Sequence, residues 1–209
     1  MKKIAFTQRL IEAEAYRETR DALDVQWAKF CCDLGVLPVL LPTEYDFTRY
    51  FEEFEIAGIV FTGGNDLSSL NQSPLSKRRD AFETSLLDYA ISHTIPVLGV
   101  CRGMQFIAAY FGASLQTIPS HASTRHGITV HEGRRYYNCY AGHEEINSYH
   151  CFRVTSLPDS LRTVATSDDG TIEALQHIEL PIEAHMWHPE REMPFIPSDI
   201  MLAQQLFKL

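Results

Sequence analysis

PVLGVCRGMQ (96–105) changes character at its midpoint. Pro96–Val100 is a short apolar run of the kind that forms a buried strand, and the residues after Cys101 read as a helix rich in Phe and Ala, running to about Phe111 and stopped by Gly112. Gly99 and Gly103 stand two places either side of Cys101, the G-x-nucleophile-x-G pattern in which small residues let the chain turn sharply from strand to helix. Such a turn lifts Cys101 out of the sheet. It also sets the thiol at a helix amino terminus, where unpaired N–H groups and the macrodipole favour thiolate. The amide of Arg102 would then point toward an oxyanion forming on a carbonyl under attack. A tight strand-to-helix turn carrying a structural Cys is the other reading of this motif alone.

Upstream, strand-like runs at Lys3–Thr7, Val36–Leu41 and Ile56–Phe61 alternate with helical patterns. The predicted helices are Arg17–Leu34, ended by Gly35, then Asp46–Phe54 and Arg79–His93. This alternation predicts an α/β fold: an open, doubly wound, mostly parallel sheet that binds ligands beyond the carboxyl ends of its strands. From Ser114 to about His150 the composition shifts to His, Arg, Tyr and Gly, read as a small antiparallel cap over the site. Residues 151–188 return to strand-like runs punctuated by the turn signal SDDG (167–170), and Ser198–Leu209 reads as a closing helix. The whole, 1–209, reads as a single domain.

EAHMWHPERE (183–192) places His188 two residues before Glu190, so in an extended segment the carboxylate reaches the imidazole. That pairing would fix the tautomer of a general base, with Pro189 stiffening the link. TGGND (62–66) follows the Ile56–Phe61 strand. Glycine there lets backbone approach a substrate, making Gly64 a candidate second oxyanion donor; a simple turn or a phosphate cradle are the alternatives. His121, Arg125, His126, Arg134, Arg135 and Tyr137 fall in the segment read as pocket rim, where they could meet phosphates or stack a base, or form a solvated basic loop.

A net charge of −9 without a basic block leaves nucleic-acid binding no electrostatic footprint. Apolar runs such as IAGIVF (56–61) fall far short of the roughly 20 residues that span a bilayer, so no membrane partner is expected and the cytoplasm is the expected compartment. Five cysteines without metal spacing argue against a disulfide framework, and no metal site is expected.

Taken in order, these motifs resemble the class I glutamine amidotransferase superfamily, and within it the branch of free-standing γ-glutamyl hydrolases that contains γ-glutamyl-γ-aminobutyrate hydrolase. The shared features are TGGND, RRDAFE (78–83), PVLGVCRGMQ, GASL (112–115), INSYH (146–150), DDGTIEA (168–174) and WHPE (187–190). The resemblance implies a flavodoxin-like three-layer fold. It implies Cys101 as nucleophile, His188 as base, Glu190 as orienter, and the amides of Gly64 and Arg102 as oxyanion donors. Gly63, Asn65, Gln105, Ser148, Tyr149 and His150 would then contact substrate. The implied reaction hydrolyses a small-molecule γ-glutamyl amide through a thioester, with no cofactor and no obligatory synthetase partner. An ammonia-donating glutaminase component of a synthetase is the competing reading. The chain departs from the branch at Cys151-Phe152 and at NDLSSL (65–70), which touches the acid-binding end of the pocket.

Overall fold

In the computed structural model, which describes residues 1–209, β1 (Lys3–Phe6) leads into a hairpin of β2 (Arg9–Glu12) and β3 (Thr19–Ala22). Next come α1 (Gln26–Leu34), β4 (Leu37–Leu40), α2 (Thr48–Glu53), β5 (Ile56–Phe61), α3 (Ser68–Asn71) and α4 (Pro74–Ser92). The elbow joins β6 (Val97–Val100) to α5 (Arg102–Tyr110), and β7 (Ser114–Thr117), β8 (Ala122–Val130), α6 (Tyr137–Tyr140) and β9 (Glu145–Tyr149) follow. The chain finishes with β10 (Phe152–Ser156), β11 (Leu161–Ser167), β12 (Ile172–His177), β13 (Ile182–His185) and α7 (Pro197–Leu206).

Nine strands form one sheet in the order β4-β1-β5-β6-β13-β12-β11-β8-β9. Pairing is parallel from β4 through β13 and antiparallel beyond it. Alternate residues of each strand serve opposite faces. Ile4, Phe6, Leu98 and Val100 join a core under α1 and α7, whereas Ala5, Val97, Ile182 and Ala184 join a second core under α4 and α5. The result is the three-layer α/β arrangement that the sequence pattern implies. No helix is long and apolar enough to cross a membrane.

Helix α1 buries Trp27, Phe30, Cys31 and Leu34, a one-sided stripe at helical spacing, and each large apolar side chain so buried contributes about 1.5–3 kcal/mol. Gly35 ends it at φ 76°, with its N–H and that of Val36 returning to the carbonyls of Cys32 and Cys31. The predicted start at Arg17 is wrong. Residues 19–22 pair with 9–12 instead, and the Asp24 carboxylate accepts the Gln26 N–H at 3.0 Å, starting the helix there. Helix α4 begins at Pro74 rather than Arg79, because Pro is well suited to a first helical turn. The region expected to be a small cap is also more tightly integrated: β8 and β9 extend the main sheet, and only β7 and β10 form a separate pair.

Candidate active site

Cys101 sits at the carboxyl end of β6 with φ 54° and ψ −107°, a conformation that costs an L-residue about 1–3 kcal/mol and has the strand-turn-helix form expected of an elbow. Close packing explains the two glycines. A Cβ on Gly103 would lie 2.0 Å from the Phe61 carbonyl oxygen, and one on Gly99 would lie 2.6 Å from Ile107 Cδ1. The Cys101 N–H donates to the His185 carbonyl at 2.8 Å, continuing the β6–β13 register past the strand ends.

Three residues beyond His185, the buried His188 Nδ1 lies 2.7 Å from Glu190 Oε1. The link is a short 3-10 turn, Pro189–Arg191, rather than the extended segment expected. Burial alone would lower the His188 pKa. The negative charge of Cys101 and a hydrogen bond to it, joined by Glu190, outweigh burial and raise it to about 9. A Cβ on Gly63 would fall 2.7 Å from His188 Cε1 and 3.6 Å from Cys101 Cβ, so glycine is what lets the loop, His188 and Cys101 converge.

That loop is gripped from below by Arg79, a residue to which the sequence reading gave no role. Its guanidinium, fully buried, donates to the carbonyls of Thr62 at 2.7 Å, Gly63 at 3.0 Å and Gly64 at 2.6 Å, and to Glu83 at 2.9 Å. In a planar trans peptide the N–H points opposite its carbonyl, so holding the Gly63 oxygen turns the Gly64 N–H away from Arg79. The Arg102 side chain packs into the same network, bonded to Glu83 and Asp80, and its backbone opens α5.

A cleft of about 330 Å³ opens on Cys101, lined by Gly64, Asn65, Arg102, Gln105, Tyr149 and His150 among others. Not every residue expected there is free to meet a substrate. The Asn65 amide is consumed by the backbone of Leu10, at 2.9 Å in both directions, and latches the β2–β3 hairpin. Ser148, fully buried, donates its hydroxyl to the His121 carbonyl at 2.6 Å. Gln105 donates to the Phe152 carbonyl at 3.2 Å from the cleft wall. Asn147, a residue of the INSYH motif given no role from sequence, brackets the His188 backbone with two 2.9 Å bonds and fixes its position.

The residues expected at the rim divide into three groups. Arg125 is at the surface, paired with Glu192 at 2.7 Å. His121 and His126 turn inward and meet His150 and Glu173. Arg134, Arg135 and Tyr137 do not gather at the cleft, which corrects the expectation for them. Arg134 donates to the Thr163 carbonyl, Tyr137 opens α6, and Arg135 pairs with Glu183 near Pro96 and Pro181, at the amino ends of the strands. The cationic groups beside His188 are instead Arg9, whose side chain lies against Gly64, and Arg191, which covers the Tyr149 ring at 4.7 Å. Arg9 escaped notice because its hairpin was hidden by the helix predicted from Arg17.

A parallel α/β sheet with a thiol at its elbow and a His–carboxylate pair just beyond the end of the next strand defines a class, and the chain belongs to the Peptidase C26 family, whose model matches residues 4–190. It is 35% identical over 211 aligned positions to the γ-glutamyl-CDP-amidate hydrolase of Campylobacter jejuni subsp. jejuni, covering 99% of this chain and 98% of that protein. It is 26% identical to a glutamine-hydrolyzing GMP synthase component of Methanococcus maripaludis, over 75% of this chain and 76% of that one. Among solved structures, a candidate GMP synthase component from Thermoplasma acidophilum superposes with a TM-score of 0.74 at 22% identity, covering all of this chain and 93% of the other.

Proposed function

We propose that this protein is a γ-glutamyl amide hydrolase acting through a Cys101–His188–Glu190 triad, and that its substrate is γ-glutamyl-CDP-amidate, cleaved to glutamate and cytidine diphosphoramidate. The observation that carries the chemistry is the 2.7 Å His188–Glu190 contact beside a thiol held at positive φ. The substrate assignment is supported by the end-to-end similarity to the Campylobacter hydrolase.

Cys101 attacks the γ-carbonyl of the substrate, and the developing oxyanion is received by the amides of Arg102 and Gly64. Each such donor is typically worth about 10²–10³ in kcat. The His188 imidazolium protonates the departing amide nitrogen and then, as neutral imidazole, activates the water that hydrolyses the thioester. Glu190 keeps the ring in the tautomer that directs Nε2 toward the thiol. Arg9 and Arg191, flanking His188, replace Arg134 and Arg135 as the groups that meet the diphosphate, with Tyr149 as a surface for stacking.

The test is incubation of the purified chain, alone, with γ-glutamyl-CDP-amidate, γ-glutamyl-γ-aminobutyrate and glutamine, monitoring glutamate release. Preference for the nucleotide substrate is expected. Arg191→Ala should raise KM for that substrate about tenfold or more, the loss of one charged hydrogen bond, while sparing γ-glutamyl-γ-aminobutyrate. Preference for the latter would reassign the leaving group. A chain inert until mixed with a synthetase would favour the second reading, an ammonia-donating glutaminase, which the similarity to the Methanococcus GMP synthase component supports.

A further inference from the structure

Behind the wall of the cleft, four side chains from separate segments converge. They are His121, in a 3-10 turn, His126 on β8, His150 between β9 and β10, and Glu173 on β12. Their facing atoms all lie within 4.8 Å of one another. The outward ring nitrogens define what the inward ones are. His121 Nε2 lies 3.1 Å from Asp169, His150 Nδ1 3.0 Å from the Phe152 carbonyl, and His126 Nδ1 3.2 Å from the Gly127 carbonyl. Oxygens such as these only accept, so each outward nitrogen carries a proton, and a neutral imidazole at each position presents its inward nitrogen as a lone pair.

With the imidazoles neutral the inward set is three lone pairs and a carboxylate, four acceptors that either a cation or added protons must bridge. Glu173 is fully buried and its oxygens face only these three imidazoles, and the inward Nε2 of His126 has no hydrogen-bond partner. Burying such a set without a cation is costly. Within a set that spans 4.8 Å, the shorter contacts approach the spacing of a coordination sphere. His121 Nδ1 is 3.4 Å from His150 Nε2 and 3.1 Å from Glu173 Oε1, His150 Nε2 is 3.6 Å from Glu173 Oε2, and His126 Nε2 is 3.7 Å from Glu173 Oε1. Zinc–ligand distances of about 2.0–2.1 Å place tetrahedral ligands about 3.3–3.4 Å apart. A carboxylate or carbonyl behind each histidine is the usual outer support of a metal-bound imidazole.

We infer that His121, His126, His150 and Glu173 form a tetrahedral site for a divalent transition-metal ion, with zinc as the best match to three imidazoles and one carboxylate. Four protein ligands leave no open position, so the role is structural. The ion ties β8 and the β9–β10 turn to β12, and through His150 it sets one wall of the cleft on Cys101. The sequence reading expected no metal, because the ligands stand five, 24 and 23 residues apart and match no short motif.

The test uses the full chain and does not depend on its substrate. Protein stripped with a high-affinity chelator and re-equilibrated with zinc chloride should retain about one zinc per chain by elemental analysis. At a hundredfold excess of zinc over Kd, Tm should rise by roughly 5–10 °C. Cobalt loading should give the intense visible absorption of a tetrahedral complex. Glu173→Gln and His126→Ala, checked for folding by circular dichroism, should lose the stoichiometric metal and the Tm response. Stripped wild-type protein that binds no zinc and keeps its Tm would overturn the inference and leave a proton-linked imidazole–carboxylate network in its place.

Discussion

The two ends of the central strands each bury a glutamate beside an arginine, and they handle it in opposite ways. At the carboxyl ends Glu83 lies between Arg79 and Arg102, all three essentially inaccessible to solvent. At the amino ends Glu183 has a single, partly exposed arginine, Arg135, with Tyr140 donating at 3.2 Å. Burial there outweighs Arg135 and pushes the carboxyl up to about 8. By perturbation alone Glu183 would pass for a functional group. It lies at the opposite end of the strands from the Cys101 turn and the glycine loop at 62–64, whereas the fully paired Glu83 braces both through Arg79 and Arg102. Placement beside the Cys101 turn, more than an unusual titration, is what distinguishes the candidate site from the opposite end.

The comparison is broken most directly at Cys101. Cys101→Ala should lower glutamate release by at least about 10⁴-fold with an unchanged circular dichroism spectrum, as for other covalent nucleophiles. Substantial residual turnover would move the chemistry elsewhere. His188→Ala should cost roughly 10²–10⁴-fold, and Glu190→Gln less. The pH profile of Glu190→Gln sharpens the point. With the His188 pKa raised to about 9, wild-type kcat/KM should fall on the alkaline side near that pH. Removing the Glu190 charge takes away one stabiliser of the imidazolium, so the limb should shift to lower pH; an unmoved limb would mean that a different acid controls it.

Arg79→Met should destabilise by about 3–5 kcal/mol, because it breaks a buried ion pair and frees three loop carbonyls, visible as a lowered midpoint in urea. The smallest effect belongs to the amino end. Arg135→Ala should leave KM for every γ-glutamyl substrate unchanged. Glu183→Gln tests the sign of its shift. Between the ordinary 4.5 and about 8 the folded state holds a proton that the unfolded state has lost, so stability falls as pH rises through that window. The glutamine variant should flatten this slope while retaining wild-type turnover.

Local signals were legible in the sequence wherever a few adjacent residues decide the outcome. The glycines around Cys101 announce the elbow, Gly35 announces the end of α1, and His188-Pro189-Glu190 reads as a pair at short range. The β2–β3 hairpin was not legible, since its exposed strand TRDA carries no alternating pattern and its anchor, Asn65, lies 55 residues from Leu10. The buried stripe of α4 was obscured because it begins with Ser76, Arg79 and Glu83 and turns apolar only at Leu86. Arg79 and Glu173 owe their roles to partners distant in sequence, which no single-chain spacing rule reaches.

The Cys101 N–H bonded to the His185 carbonyl gives the proposed nucleophile and base a common ruler. Cys101 directly follows β6 and His188 follows the end of β13 by three residues, so both are measured from the register of two paired parallel strands, the least adjustable dimension of the fold. The hairpin at 9–22 and the strands beyond β12 contribute walls without entering that register. Lengthening, trading or redesigning those walls is therefore a route to new leaving groups in which the reactive spacing travels unchanged, as a fixed cartridge beneath an exchangeable lid.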